Sequence, residues 1–364
     1  MVVAGIMTGT SVDAIDVAFC EITSEGDRHS VSLLSFHSLP FSDDLRGMIL
    51  KSMAGEASME NLSDLPFALA QEYAQAFRQA SASTNVELVS MHGQTLWHHP
   101  PVSTWQAGCG SALSALLNLP VVHNFRSADV ALGGQGAPLV PIFDHATLTS
   151  QVPRIALNIG GMANISILPA NASEEDVWAC DTGPGNVWID VASRVTFGKR
   201  YDTNGEFARA GRLIPPLLQE CKTIPFFSMG LPKSTGRELF SEKEARRLIT
   251  KYSHPSSPLE DVVTTLTELT AWSIVDHITR LAPASREMIV SGGGSQNSFL
   301  LERIEGLVQD ASLDLEVQIH PQWDSKEAMA FAYLGWRTIH GLSGNLPRVT
   351  GASRPAILGS ISRA

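Results

Sequence analysis

Cysteine is scarce in this chain of 364 residues, which holds only Cys20, Cys109, Cys180 and Cys221. Their wide spacing, with no C-x-x-C pair, argues against a disulfide scaffold or a zinc framework and fits reduced, cytosolic thiols. Long hydrophobic runs are missing too. No apolar segment approaches the roughly 20 residues that span a bilayer, and no basic stretch leads into a signal-like run at the N-terminus. The expectation is a cytoplasmic protein with no membrane partner. Positive charge is in deficit, with 26 Lys and Arg against 37 Asp and Glu and a formal net charge of -11, which weighs against nucleic acid as a partner. Neither common phosphate-binding signature is present: there is no G-x-x-x-x-G-K-[ST] and no strand–GxGxxG–helix unit. Short-period repeats, coiled-coil heptads and low-complexity tracts are absent as well.

What the chain does contain is 44% hydrophobic and 17% charged residues, in a length that favours two lobes over one core. Its most informative feature is a pair of glycine-bearing apolar hairpins. The first runs Val2–Met7, turns through Thr8-Gly9-Thr10-Ser11, and returns as Val12–Phe19. The second runs Ile155–Ile159, turns through Gly160-Gly161-Met162-Ala163, and returns as Asn164–Leu168. β-Branched runs broken by small-residue turns leave backbone N–H groups uncovered. One such turn is most often structural. Two at matching positions, facing one another, point to a clamp for a chain of phosphates, and hence to ATP and phosphotransfer.

Further along, strands are expected at Val31–Phe36, Val86–Met91, Pro120–His123 and Glu287–Val290. Helices are expected around Ala68–Phe77, Ser111–Leu117, Val187–Thr196, Val262–Leu281 and Lys326–Ile339. The Gly- and Pro-rich passage Ala131–Pro141 reads as a crossing between lobes. Alternating strands and helices indicate an α/β fold with mixed sheets.

Seven segments carry a resemblance. They are Met7–Asp16, His92-Gly93-Gln94-Thr95, Phe125–Val130 with Gly133–Pro138, Asn158–Asn164, Asp181–Asn186, Ser234–Glu238 and Lys326-Glu327-Ala328. In this order they resemble the anhydro-N-acetylmuramic acid kinases, in the wider actin-like, hexokinase-like superfamily. Three positions depart from the family pattern: Asn124 stands in place of Asp, Ala14 in place of Gly, and Thr8 where Ser is frequent. The resemblance implies an α/β, two-lobed actin-like/hexokinase-like (ribonuclease H-like) fold with ATP in the interlobe cleft. The lobes are expected at 1–130 plus 345–364 and at 131–344. It also implies a homodimer and Mg²⁺ alongside ATP, with no pattern assigning the metal ligands.

The implied reaction hydrolyses the 1,6-anhydro bridge of the sugar while ATP phosphorylates the released 6-oxygen, within peptidoglycan recycling. Glycoside hydrolysis ordinarily takes two carboxyl groups. Here the leaving oxygen is captured by the γ-phosphoryl group, so one base that activates water suffices. Asp181 is the expected base, against the commoner role of an Asp that bonds its own turn. Glu327 is expected at the sugar, against a first-turn acid favoured by the helix dipole. His92 and Gln94 are expected as sugar or loop contacts, with His98 and His99 merely exposed. Arg126 and Asp129 are expected at the sugar, since a lactyl carboxylate pairs well with a guanidinium. For ATP the resemblance implies Gly9, Thr10, Ser11, Val12, Asp13, Ala14, Ile15 and Asp16 from the first turn. From the second lobe it implies Asn158, Gly160, Gly161, Gly183, Gly292, Gly293, Gly294 and Asn297. A levoglucosan-type kinase and an actin-like assembly ATPase remain open alternatives at this point.

Overall fold

The opening run of Val and Ile forms β1 (Val2–Thr8), which turns through residues 9–13 and returns antiparallel as β2 (Ala14–Glu25), with Met7 opposite Asp16. In this computed structural model, which describes residues 1–26, 28–81, 84–231, 233–236, 238–253 and 258–363, β3 (Arg28–Pro40) completes the meander. The chain then moves to the other side of β1, where β4 (Leu88–Met91) pairs parallel with it. A separate hairpin follows, β5 (Gln94–His99) with β6 (Ser103–Ala107). Next, β7 (Val121–His123) adds parallel to β4, and the C-terminal strand Ser360–Ser362 closes the edge of the six-stranded sheet.

The two faces of this sheet are covered differently. Leu69, Tyr73 and Phe77 of the Met59–Ser81 helix share one core with Ala4, Ile6 and Phe19. The Lys326–Ile339 helix lies so close to the other face that a Cβ on Gly5 would sit 2.0 Å from the Ala328 carbonyl oxygen. Likewise a Cβ on Gly335 would meet Ser90 at 2.5 Å, so only glycine permits this approach at either position.

The second unit repeats the plan. Its strands are β8 (Arg154–Ile159), β9 (Met162–Leu168), β10 (Trp178–Pro184), β11 (Glu287–Ser291) and β12 (Glu316–Ile319). Their order is β10-β9-β8-β11-β12, with an antiparallel meander followed by two parallel additions. That matches β3-β2-β1-β4-β7 strand for strand, so the two glycine hairpins hold equivalent places in two copies of one topology. The Glu260–Leu281 helix packs Ala271, Ile274 and Ile278 against Ile155, Leu157 and Val290. Its buried threonines are satisfied within the fold. Thr270 Oγ1, for instance, reaches the carbonyls of Pro184 (3.0 Å) and Gly185 (2.9 Å).

The compact units are Met1–Thr147 with Ser325–Ala364, and Leu148–Asp324. The sequence reading places the crossings earlier on the way out and later on the way back, at 130/131 and 344/345. Both the Pro141–Leu148 and Lys326–Ile339 helices belong with the first sheet. Lys326 Nζ meets Asp144 Oδ1 at 2.7 Å, and the rings of Phe143 and Tyr333 are 6.2 Å apart. Residues 131–141 are therefore folded onto the first unit. Among the described residues, no helix is long and apolar enough to cross a membrane.

Candidate active site

In the first unit the sites grow from the C-terminal ends of β4 and β7. His92 follows β4 and is buried; Arg126 follows β7. Arg126 donates to His92 Nε2 from both Nε (3.0 Å) and Nη2 (2.9 Å), and Nη1 donates to the Gly136 carbonyl (2.7 Å). Burial, and then the Arg126 charge, hold His92 well below its ordinary pKa, so it is a neutral acceptor. Burial lowers Arg126 to about 10, opposed by Glu327 and then Asp129, so the guanidinium stays charged at neutral pH. Glu327 opens the Lys326–Ile339 helix and is exposed. The surrounding protein mass and then the Asp16 charge raise its carboxyl above the usual value, against Arg126 and Lys326. Arg126, Glu327 and Asp16 thus form one electrostatic group.

Asp129 has another place than the sugar contact expected of it. It is fully buried, and Oδ2 accepts from the Gly136 amide (2.7 Å) while Oδ1 accepts from Asn345 Nδ2 and Thr350 Oγ1 (both 2.7 Å). Its carboxylate fastens the loop whose Gly136 carbonyl holds Arg126. Asn124 occupies a left-handed conformation (φ 62°), which Asn tolerates, and accepts from the Ser127 hydroxyl (2.5 Å). This departure from the family pattern is accommodated as a turn residue. His98 and His99 are exposed, as the sequence reading has them.

Gln94 is fully buried and joins this group to the first glycine turn, its Nε2 donating to the Gly9 carbonyl at 3.3 Å. Within the turn, Thr10, Ser11 and Asp13 are exposed, whereas Val12 and Ile15 lie in the hydrophobic core. Val12 and Ile15 therefore support the turn from beneath and do not line it. Val12 has φ 54°, an outlier for a β-branched residue. Its amide bonds the Gly9 carbonyl (3.2 Å), and its carbonyl accepts from Arg46 Nε (3.1 Å). Asp16 accepts from Ser38 across β2 and β3 (2.6 Å).

In the second unit Asp181 lies within β10, where the register shifts by a bulge before Gly183. The strand continues past Asp181 to Pro184. A bulge re-aims a side chain out of the ladder. Asp181 is half-buried; the Thr235 amide donates to Oδ2 at 2.7 Å. Burial raises its pKa from 3.8 to about 7; Thr235 opposes this, Glu238 adds to it and Lys233 opposes it. Ser234–Glu238 carries part of the family resemblance, which implies no task for Thr235. A residue that acts through its backbone amide leaves no signature in a sequence. Arg237 of that segment lies outside the described residues.

The glycines of this unit separate by what surrounds them. Gly292 has φ 80°, and a Cβ there would meet Asn158 Oδ1 at 2.6 Å; on Gly294 it would meet Ile159 at 2.3 Å. Gly183 has φ 147° and lies under Phe227. These three are demanded by the fold itself. By contrast, nothing lies within 4 Å of a Cβ on Gly161 or Gly293, and on Gly160 the nearest atom is 3.6 Å away. The Gly160–Gly161 turn is pinned from behind by Asn186, whose Nδ2 donates to the carbonyls of Ile159 (3.2 Å) and Gly160 (3.1 Å). Asn297 caps the Ser298–Asp310 helix, its Oδ1 accepting from the Leu300 amide at 3.0 Å. That assigns its side chain to the helix end. Among the described residues, no group of three or more His, Cys, Asp or Glu is placed to hold a metal ion.

A sequence profile for the family described as anhydro-N-acetylmuramic acid kinase matches residues 1–364. Two proteins bearing that name, from Bacillus cereus (strain AH820) and Bacillus anthracis (strain CDC 684 / NRRL 3495), are each 37% identical over 380 residues. Each alignment covers 100% of this chain and 99% of the relative. Among solved structures the chain is similar to a ROK family glucokinase from Streptomyces griseus in complex with glucose and AMPPNP. That match is 14% identical, covers 93% of this chain and 100% of the other, and has a TM-score of 0.44.

Proposed function

The chain belongs to the anhydro-N-acetylmuramic acid kinase family, and from that premise we propose that Asp181 is the base with which it opens an anhydro sugar. The enzyme is a kinase that hydrolyses the 1,6-anhydro bridge of 1,6-anhydro-N-acetylmuramic acid and phosphorylates the 6-oxygen, in cell-wall recycling. The observation that carries the role of Asp181 is its setting: half-buried, one oxygen fixed by an amide, and titrating at about 7. A base is most effective when its pKa lies near the working pH. Water adds to the anomeric carbon, its proton passes to Asp181, the bond to the 6-oxygen breaks, and that oxygen takes the γ-phosphoryl group of ATP as its bond to the departing ADP oxygen breaks. No second carboxyl group has to protonate the leaving oxygen.

Arg126 supports a sugar that carries a carboxylate. Three of its N–H groups are taken by His92 and Gly136, and a guanidinium has five. The remaining donors form a fork held still by its partners, suited to the lactyl carboxylate of the muramic acid, which levoglucosan lacks. Glu327 beside it suits a sugar hydroxyl.

For ATP, the supporting features are the glycines at which a Cβ would meet no clash. Chain neighbours aside, a Cβ at Gly9, Gly160, Gly161 or Gly293 would meet no protein atom closer than 3.6 Å, so a clash at Cβ does not explain their being glycine. Close approach of a phosphate or nucleoside to backbone does. Mg²⁺ is expected to arrive on the nucleotide phosphates, keeping several waters as it does in phosphoryl-transfer sites, and when bound it neutralises phosphate charge. A cytoplasmic homodimer completes this reading.

The test is ADP release measured against anhydro-N-acetylmuramic acid, levoglucosan and N-acetylglucosamine. Turnover should require the first. Equal turnover with levoglucosan would remove the lactyl contact from the account, and sugar-independent turnover rising with protein concentration would favour an assembly ATPase.

A further inference from the structure

The segment after Phe226 runs beside the edge of β10 and touches Asp181 twice. The Asp181 amide donates to the Lys233 carbonyl (3.4 Å), and two residues on the Thr235 amide donates to Asp181 Oδ2 (2.7 Å). In a parallel ladder, where a residue donates to one neighbour and accepts from the residue two further on, the second bond would go to the Asp181 backbone carbonyl; here the carboxylate takes it. The segment is anchored at its start. Lys233 is buried, its Nζ donates to the Phe226 carbonyl (3.0 Å), and the ammonium lies 4.4 Å from the centre of the Phe226 ring. Among the described residues of this segment, Lys233 and Glu238 are the charged groups that act on Asp181.

Two consequences follow for the reacting atoms. With Oδ2 held, Oδ1 is the oxygen of Asp181 left without a protein partner among the described residues. And the Thr235 hydroxyl oxygen is enclosed, with no hydrogen-bond partner among the described residues. A buried hydroxyl without a partner is costly and calls for an explanation, such as a ligand or water that completes its bonding. It belongs to the same residue whose amide fixes the base.

Resting on the reading of Asp181 as the base, we propose that Thr235 positions the attacking water: its amide holds Oδ2 so that Oδ1 takes the proton, and its hydroxyl holds the water oxygen. As the water oxygen bonds to the anomeric carbon, one proton moves to Oδ1 and the electron pair of the breaking bond stays on the 6-oxygen. Lys233 keeps the segment in register and does not touch the reacting atoms.

Thr235→Val keeps the amide and the shape but removes the hydroxyl; Thr235→Ser keeps both functions. With the anhydro sugar and ATP, kcat of the Val variant should fall about 10- to 100-fold, the scale of one hydrogen bond to a charged or reacting group. KM for both substrates should be unchanged, and the acid limb of the pH profile should stay where it is. The Ser variant should recover most of the rate. Thr235→Ala serves in place of Val if the Val protein melts lower than the parent. Parental kcat in a folded Val or Ala variant, or no recovery in Ser, overturns the role of Thr235. Asp181→Asn is measured beside them. If that variant is fully active the base assignment itself fails; if it is inactive while Thr235→Val is unaffected, only the present inference does.

Discussion

Arg126 turns two of its nitrogens, Nε at 3.0 Å and Nη2 at 2.9 Å, onto a single acceptor, Nε2 of His92. An imidazole accepts there only when it is neutral and carries its proton on Nδ1. Burial and the guanidinium charge both enforce that state by holding His92 well below 6.5. His92 is thus neither a proton donor nor a metal ligand in this setting; it is a clamp on a cation. Its imidazole should show no titration between about pH 5 and 8 by NMR, the window in which an ordinary His changes charge. A midpoint near neutrality would mean that the Arg126 contact is absent in solution.

The sugar contact proposed above rests on the same pair. His92→Ala should raise KM for the anhydro sugar about 10-fold, and Arg126→Ala more, on the roughly 1.5–3 kcal/mol scale of charged hydrogen bonds. ATP binding should be untouched by either. Arg126→Lys should not restore the site, because a point charge cannot present a fork to a carboxylate while also spanning His92 and the Gly136 carbonyl. Sugar kinetics equal to the parent in both Ala variants would return the pair to a purely structural role.

The glycines offer a comparison between near neighbours. Gly293→Ala and Gly160→Val should leave the melting temperature close to the parent, since a Cβ finds open space at Gly293 and no contact closer than 3.6 Å at Gly160, yet weaken nucleotide binding. Gly294→Ala should do the reverse at first order, lowering stability by about 1–3 kcal/mol through overpacking against Ile159. Gly9→Val extends the test to the first unit, where its nearest contact is 3.6 Å away. Isothermal titration with ATP on the folded variants decides. Unchanged binding at Gly293, Gly160 and Gly9 would leave the open glycines unexplained.

Asp129 should behave as a fold residue. Replacing it by Ala strands three donors, the Gly136 amide, Asn345 Nδ2 and Thr350 Oγ1, in a fully buried place. The loss should be on the order of 3 kcal/mol or more, as for other broken buried charge networks. Denaturant melts should show it directly. A variant that folds with parental stability and fails only in sugar binding would restore Asp129 to the sugar.

How much of this was legible beforehand depends on what kind of signal each residue leaves. Both glycine hairpins and most strands and long helices were readable, because alternation and β-branching are local properties. Asp181, Arg126 and Glu327 were singled out by resemblance, and the structure adds their partners. Asp129 and Asn297 looked the same in sequence as binding residues would. Only the tertiary contacts assign one to Asn345 and Thr350 and the other to a helix cap. The resemblance implies one phosphate loop over Gly9–Asp16, but a turn cannot expose every residue, and Val12 and Ile15 hold it down from the core. The compact units divide at other points than the Gly- and Pro-rich passage, because such a passage marks irregular backbone, which here folds back onto its own unit.

Asp181 gives the sharpest expectation, because its pKa links rate and stability. In the folded protein it titrates at about 7, against 3.8 in the ordinary carboxyl. Below the lower value both states hold the proton and stability is unaffected. Between the two values the folded state binds the proton more tightly than the unfolded chain, so stability falls as pH rises and the loss is complete above about 7. Asp181→Asn removes this penalty. The variant should therefore be more stable than the parent near pH 8, on the order of 2 kcal/mol after allowance for partial exposure, and equal to it near pH 4. Its kcat should meanwhile fall about 10²- to 10⁴-fold, the range for loss of a general base, and the parent's rate should climb through about pH 7 as the carboxylate forms. Water that enters opposite the bridging oxygen inverts the anomeric carbon. The first product from a β-bridged sugar is then the α-anomer of the 6-phosphate, seen by NMR before mutarotation, with oxygen-18 from water on carbon 1. A variant that is slower without gaining stability near pH 8 would show that Asp181 is not held in the raised state, and a β-anomer appearing first would rule out its activation of water from that side.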